Sequence, residues 1–276
     1  MRPFHRSCYK VLNAPKLKDD FYTNLLDWSR EDMIGVVLDN AVYVWAAKGN
    51  EAEKVLEGYV SSVKWGRGLV IGEESGRIRL VDVEKRKETH RSKHHLGRQS
   101  PCIRFEGHQQ EICGLKWSTD NGLLASGGND NLVLVWEPRM GRHIGRLAEH
   151  TAAVKALAWS PHRSSELATG GGSTDKSIKI WSTSDMKCLR STDSGSQVCN
   201  MLFSTSTNEL VSTHGYSLNS VMVWNPRNLQ RLATLEGHSY RVLYLAKSPD
   251  EESILTGSGD QTLRFWKLFP SSKNDV

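Results

Sequence analysis

An all-β propeller of four-stranded blades is the fold class that this sequence predicts, and three observations predict it. Short apolar runs ending in Trp recur: NAVYVW at Trp45, NLVLVW at Trp136, KSIKIW at Trp181, NSVMVW at Trp224 and QTLRFW at Trp266. From Trp136 onward they are spaced 45, 43 and 42 residues apart, the period of one propeller blade. Polar residues keep the same step. Asp39, Asp130, Asp175 and Asp260 each stand six residues before a Trp, and Gly107-His108, Glu149-His150 and Gly237-His238 lie 28 to 31 residues before theirs. Ser126, Thr169 and Thr256 fall between His and Asp.

Each run reads as a buried strand entered from a tight turn, as in SGGNDNLVLVW (126–136), where a cluster of Gly, Asn and Asp precedes five apolar residues. A sixth ending, GRIRLVDV, carries Val81 in place of Trp, so six blade endings are visible. The interval from Val81 to Trp136 is 55 residues, too long for one blade and about 30 short of two. It holds the polar, basic stretch 84–108. Two readings fit: a six-bladed ring with a long basic loop, or a seven-bladed design with a degenerate or missing third blade. The domain reading is an N-terminal segment (1–20), a propeller (21–268) with a basic loop or degenerate blade at 84–104, and a polar tail (269–276). Only ten residues follow Trp266, and a propeller must pair its last edge strand or leave it open. YKVLNAP (9–15) is therefore expected to complete the last blade.

Length and composition agree with one large β domain. The chain has 276 residues, 38% of them hydrophobic, with nine Trp. No apolar run approaches the ~20 residues of a membrane helix, and MRPFHRSCYK has no apolar stretch behind its charges, so neither a membrane span nor a signal peptide is expected. Five scattered Cys (8, 102, 113, 188, 199) form no CxxC pair, which argues for reduced thiols in the cytosol or nucleus and against a zinc site. A net charge of +5 is too mild to imply nucleic acid. The run from Glu84 to Arg98 has six Lys/Arg and three His, readable as an import signal or nucleic-acid patch, or more simply as a solvated loop; no interleaved aromatics support base stacking.

The repeated His, Ser/Thr, Asp and Trp resemble the WD40 repeat, in which these side chains form a buried hydrogen-bonded chain. The set His108, Ser126, Asp130, Trp136 is followed by His150, Thr169, Asp175, Trp181 and by His238, Thr256, Asp260, Trp266. A catalytic triad is needed once, not three times at blade spacing, so an enzyme is not expected. GGGSTDK (170–176) lacks phosphate-loop spacing, and no metal motif or cofactor site is present. Asp130 thus belongs to the fold. Its neighbours Asn129 and Asn131 do not, since the matching positions are Thr174-Lys176 and Gly259-Gln261. They are either turn formers or part of a working surface near the propeller axis.

Longer phrases resemble one family, the Fizzy and Fizzy-related co-activators of the anaphase-promoting complex. They are KVLNAPKLKDDFYTNLLDWS (10–29), EICGLKWSTDNGLLASGGNDNLVLVW (111–136), AAVKALAWSPH (152–162), ATGGGSTDKSIKIW (168–181), GSQVCNMLFS (195–204), NELVSTHGYSLNSVMVW (208–224) and GHSYRVLYLAKSPD (237–250). STHGYS and GHSYRVLYLA are closer to the Fizzy-related branch. The resemblance implies a receptor that presents substrates with short destruction motifs, cyclins among them, to a ubiquitin ligase in nucleus and cytoplasm, with no chemistry of its own. It places reading of the KEN-type motif on Asn129, Asn131, Ser173 (where the family usually has Thr), Gln197 and Arg241. Amides both donate and accept, which suits an Asn/Glu/Lys peptide, and Arg241 suits the motif's Glu. For the destruction box it implies Asp27, with Gln261 where the family has Glu; loss of that charge weakens capture of the motif's Arg.

Three departures bear on docking. The chain starts after the position of the family's arginine-rich docking box, ends in NDV where the family ends in Ile-Arg, and lacks much of the groove between the second and third blades. Two alternatives to a ligase co-activator therefore stand: a divergent or truncated motif-binding propeller that does not activate the ligase, and a generic WD40 scaffold.

Overall fold

Runs of β-branched and aromatic residues broken by Gly, Asn, Asp and Ser leave the chain little choice but short strands and tight turns. The structure, a computed structural model, describes residues 4–49, 51–65, 69–73, 78–82, 87–91, 106–137 and 142–270. The chain opens with β1 (Lys10–Asn13). There follow β2–β5 (Leu26–Trp28, Met33–Leu38, Ala41–Ala46, Glu53–Glu57), β6–β9 (Val60–Trp65, Leu69–Glu73, Ile78–Asp82, Lys87–Arg91) and β10–β13 (Ile112–Trp117, Leu124–Gly128, Val133–Glu137, Arg142–Leu147). Then come β14–β17 (Val154–Trp159, Glu166–Gly171, Ser177–Ser182, Lys187–Asp193), β18–β21 (Val198–Phe203, Leu210–His214, Val221–Asn225, Gln230–Leu235) and β22–β24 (Val242–Lys247, Ser253–Ser258, Thr262–Lys267). Among the described residues these form six four-stranded antiparallel sheets, the blades of a propeller. The last is closed by β1, which pairs with β24 in the register Lys10↔Phe265 to Asn13↔Thr262.

The first strands of five blades share one irregularity, a register shift after the first residue: Val60, Ile112, Val154, Val198 and Val242. Such bulges increase local twist. The core lies between faces of neighbouring blades. Val133, Val135 and Leu147 of the third blade meet Val154, Leu157 and Trp159 of the fourth, and similar clusters join the fourth to the fifth and the fifth to the sixth. Inner strands pack in the order β10, β14, β18, β22, β2, β6; among the described residues the junction of β6 with β10 has no comparable packing. Side-chain exposure follows. Ile112, Leu115 and Trp117 of β10 are 44%, 61% and 50% exposed, whereas the matching Val154, Leu157 and Trp159 of β14 are 0%, 3% and 6% exposed.

The polar chains are complete in three blades. In the third, Trp136 Nε1–H donates to Ser126 Oγ at 2.7 Å, and Ser126 and His108 Nε2 are 2.7 Å apart. His108 Nδ1 lies 2.9 Å from Asp130 Oδ1. Indole can only donate, so the hydroxyl proton goes to Nε2 and Nδ1 carries the imidazole proton. The fourth blade repeats this through Trp181, Thr169, His150 and Asp175 at 2.7, 2.6 and 2.6 Å. The sixth does so through Trp266, Thr256, His238 and Asp260 at 2.9, 2.8 and 2.8 Å.

The fifth blade holds a variant that blade spacing did not reveal, because its His sits on the strand. Trp224 Nε1–H donates to Ser212 Oγ at 2.7 Å, Ser212 pairs with His214 Nε2 at 2.6 Å, and His214 Nδ1 faces Ser196 Oγ at 3.2 Å. The first blade has none. Asp39, in step by spacing, instead forms an exposed ion pair with Lys16, and the buried Trp45 Nε1 is unpaired; the positions 28 to 31 residues before Trp45 hold Ala14-Pro15-Lys16-Leu17 and no His.

Two boundaries also differ from expectation. Residues 87–91 of the basic stretch 84–104 form β9, the outer strand of the second blade, because backbone pairing with β8 needs no apolar side chain and charged residues suit an edge. The rest of that stretch, the question of a third-blade remnant, and Cys102 lie outside the described residues. Phe269, assigned to the polar tail, is buried with Leu268 in the core between the fifth and sixth blades, both amides donating to Glu252 O.

Burial alone would raise the carboxyls of Asp175 and Asp260. Hydrogen bonds from His150 and Ser177, and from His238 and Thr262, outweigh it and hold both well below the usual range. Burial pulls His214 down to about 3. The signs agree. The unfolded chain binds more protons than the folded one as pH falls, for His214 from about 6.5 toward 3 and for the two Asp below about 4. Stability from these groups is present at neutral pH and lost on acidification. Stability should fall by on the order of 2 kcal/mol between pH 6.5 and 5 through His214. In urea titrations His214→Asn should be less stable at pH 7.5 yet flatter over that interval; an unchanged slope contradicts this account. Thr169→Val keeps shape but strips Trp181 Nε1 and His150 Nε2 of their partner, and should cost about 2–4 kcal/mol in the same assay.

Candidate functional site

Antiparallel blades send two kinds of segment to one face: the turn between second and third strands, and the loop entering the first strand. Residues 129–131, 172–176, 215–220 and 259–261 are such turns. In the third blade Asp130 does the turn's work, accepting from the amides of Gln109 and Leu132 at 2.9 and 3.3 Å. Asn131 adopts the left-handed backbone at φ 66°, but Lys176 and Gln261 occupy the matching position at 58° and 60°. The turn therefore does not demand the Asn side chain. Asn129 donates its backbone N–H to Glu111 O at 2.8 Å, and its Oδ1 accepts from Tyr22 O–H at 3.3 Å.

Ser173 is exposed in the matching turn of the fourth blade. Gln197 and Arg241 enter from the loops before β18 and β22 and converge over Gly215. A Cβ placed there would lie 2.6 Å from Gln197 Oε1 and 3.4 Å from Arg241 Cδ. Arg241 Nε donates to Asp19 Oδ1 and Nη2 to Asp19 O, both at 2.9 Å, and its guanidinium lies 5.5 Å from the Tyr216 ring centre. All five residues of the expected KEN-reading set thus lie on turns or loops of one face.

Asp27 and Gln261 are held by different partners. Asp27, nearly buried on β2, takes Lys64 Nζ at 2.7 Å and the Trp65 N–H at 2.8 Å, both from β6. Gln261 Oε1, in the turn before β24, accepts from Lys16 N–H at 2.8 Å. Each of the two expected destruction-box residues thus has partners of its own, and Asp27 is engaged at the junction of the first and second blades.

Blade spacing also missed a strap, residues 14–24, which leaves β1 and crosses the same face. It is tied by Ala14 N–H to Gln261 O at 2.7 Å, Tyr244 O–H to Lys18 O at 2.8 Å, and Lys155 Nζ to Thr23 O at 3.0 Å. Lys155 also lies 5.3 and 5.5 Å from the Phe21 and Tyr244 ring centres; burial pulls its pKa down to about 8. Nearby, burial pushes the Cys113 thiol up to about 11 and Cys199 to about 12, so neither is a thiolate nucleophile at neutral pH. Among the described residues no cluster of three or more His, Cys, Asp or Glu is placed to hold a metal. The face offers amides, a hydroxyl, a guanidinium and exposed tyrosines, which is chemistry for gripping a peptide.

Blades with these polar chains define a WD40 propeller. The family described as the CDC20/Fizzy WD40 domain matches residues 95–266, and the chain belongs to it. It is 45% identical to "Protein FIZZY-RELATED 1" of Arabidopsis thaliana, over 99% of this chain and 65% of that protein. It is 39% identical to "Anaphase-promoting complex subunit cdh1" of Dictyostelium discoideum, over 99% of this chain and 45% of that protein. The chain thus spans less than two thirds of the length of these relatives. One chain of "Crystal Structure of Mitotic Checkpoint Complex" is 34% identical and superposes with a TM-score of 0.90, over 98% of this chain and 94% of that one.

Asp27→Ala leaves the Trp65 amide and Lys64 without their acceptor. It should lower stability by about 1–2 kcal/mol in thermal or urea unfolding; an unchanged midpoint would show that the β2–β6 junction does not rely on it.

Proposed function

We propose that this chain is the substrate-reading propeller of an anaphase-promoting complex co-activator of the Fizzy-related kind: it binds KEN-type motifs of cell-cycle proteins such as cyclins and presents them for ubiquitination. Its role is binding, not catalysis, and its place of action is nucleus and cytoplasm. The observation that carries the reading is the single face on which Asn129, Asn131, Ser173, Gln197 and Arg241 lie, with Gln197 and Arg241 converging over Gly215. The names of the relatives support it, as does the likeness to a chain of a checkpoint assembly. Destruction-box capture through Asp27 and Gln261 is the weaker part of the proposal, since Asp27 already accepts from Lys64 and from the Trp65 amide.

We further infer a seven-bladed design that has lost the blade between β6–β9 and β10–β13, the third of the full ring. The alignment with the Arabidopsis relative spans 308 positions against 276 residues here, so part of that relative has no counterpart in this chain. The interval before Trp136 is short by the same order, and β10 shows the apolar face that a preceding blade would cover. This open face favours a second reading, a motif-binding propeller that does not activate the ligase. Capture of the ligase by the full chain separates the two.

Titration of a KEN-containing peptide into the wild type and into Asn129→Ala/Asn131→Ala tests the receptor. The wild type should bind and the folded double variant should lose at least ~10-fold, the scale of two or more lost hydrogen bonds. Equal binding by both would remove these amides from the reading surface.

A further inference from the structure

The guanidinium that the proposed reading gives to the motif's Glu already holds a carboxylate. Arg241 Nε reaches Asp19 Oδ1 at 2.9 Å and Nη2 reaches the Asp19 carbonyl at 2.9 Å, while Tyr216 O–H lies 3.5 Å from Asp19 Oδ2. The pair is only partly screened, with side chains 20% and 33% exposed. Space for it is built into the sixth blade. Its turn has Gly259 where the third and fourth have Asn129 and Thr174, and a Cβ there would stand 2.8–2.9 Å from Asp19 side-chain atoms. Asp19 is also not loose. Its strap neighbours are pinned by Tyr244 to Lys18 O and by Lys155 to Thr23 O.

We propose that Asp19 is a specificity-determining residue of the motif site, an internal stand-in for the acidic residue of the peptide. The inference rests on the KEN-reading assignment of Arg241 and adds its regulation. With Asp19 seated, an isolated carboxylate gains little at Arg241, because it meets a guanidinium whose charge is already met by an anion. Only a peptide that also engages Asn129, Asn131 and Gln197 gathers enough binding energy to share or take over Arg241. The strap thus rejects merely acidic peptides and keeps Arg241 extended toward the site when it is empty.

Titrations of a KEN peptide, and of the same peptide with Glu replaced by Gln, into wild type and Asp19→Asn test this. Asp19→Asn keeps shape and hydrogen bonding but removes the charge. It should tighten the KEN peptide about two- to five-fold, the range of partly exposed ion pairs. The gain should vanish with the Gln peptide and in an Arg241→Lys background. Unchanged or weaker binding by folded Asp19→Asn, with the wild type still binding, overturns the inference; weakening would mean that Asp19 itself receives the motif's Lys. No binding by either folded protein overturns the KEN reading together with this inference.

Discussion

Each complete blade hangs on one buried chain of hydrogen bonds, from a Trp indole through a hydroxyl and an imidazole to a carboxylate. It spans the third strand, the second strand, the entering loop and the turn, and so ties the upper face of a blade to its core. An unpartnered polar group in that chain costs more than a made bond returns, which is why each complete set holds together as a unit. The chain also settles where the turn residues point. Because Asp130 is committed to His108 and to two backbone amides, its Asn neighbours are released from structural duty. The proposed reading surface is a by-product of where the polar chain ends.

Much of this was legible in residue spacing. Three polar chains, the Trp-terminated strands and the pairing segment at 9–15 all follow from counting residues, because a blade repeats in sequence what it repeats in space. The fifth-blade variant did not, since His214 moved from the loop onto its strand and left the count. Asp39 kept the count without the function, as no His stands at the blade interval upstream to meet it. The strand at Lys87–Arg91 was hidden in a basic run, because an edge strand pairs through its backbone and its side chains carry no signature.

The site was legible in a different way. Asn129, Asn131, Ser173, Gln197 and Arg241 came from likeness to a family, and the structure gathers them on one face. Spacing could not have found Gln197 and Arg241, which stand on loops of different blades and converge only over Gly215. Nor could it place the strap. Asp19, Tyr22 and Thr23 lie outside every repeat, and their contacts to Arg241, Asn129 and Lys155 exist only once the last blade is closed by β1. Asp27 shows the converse: a residue singled out by likeness proves committed to the neighbouring blade.

The most direct test of the central claim is to map, by NMR on the folded chain, which side-chain amides shift when a KEN peptide is added. Shifts centred on Asn129, Asn131 and Gln197, with the Arg241 Nε–H moving as well, are what this account predicts. Shifts confined to the exposed β10 face around Leu115 and Trp117, or none at saturating peptide, would contradict it.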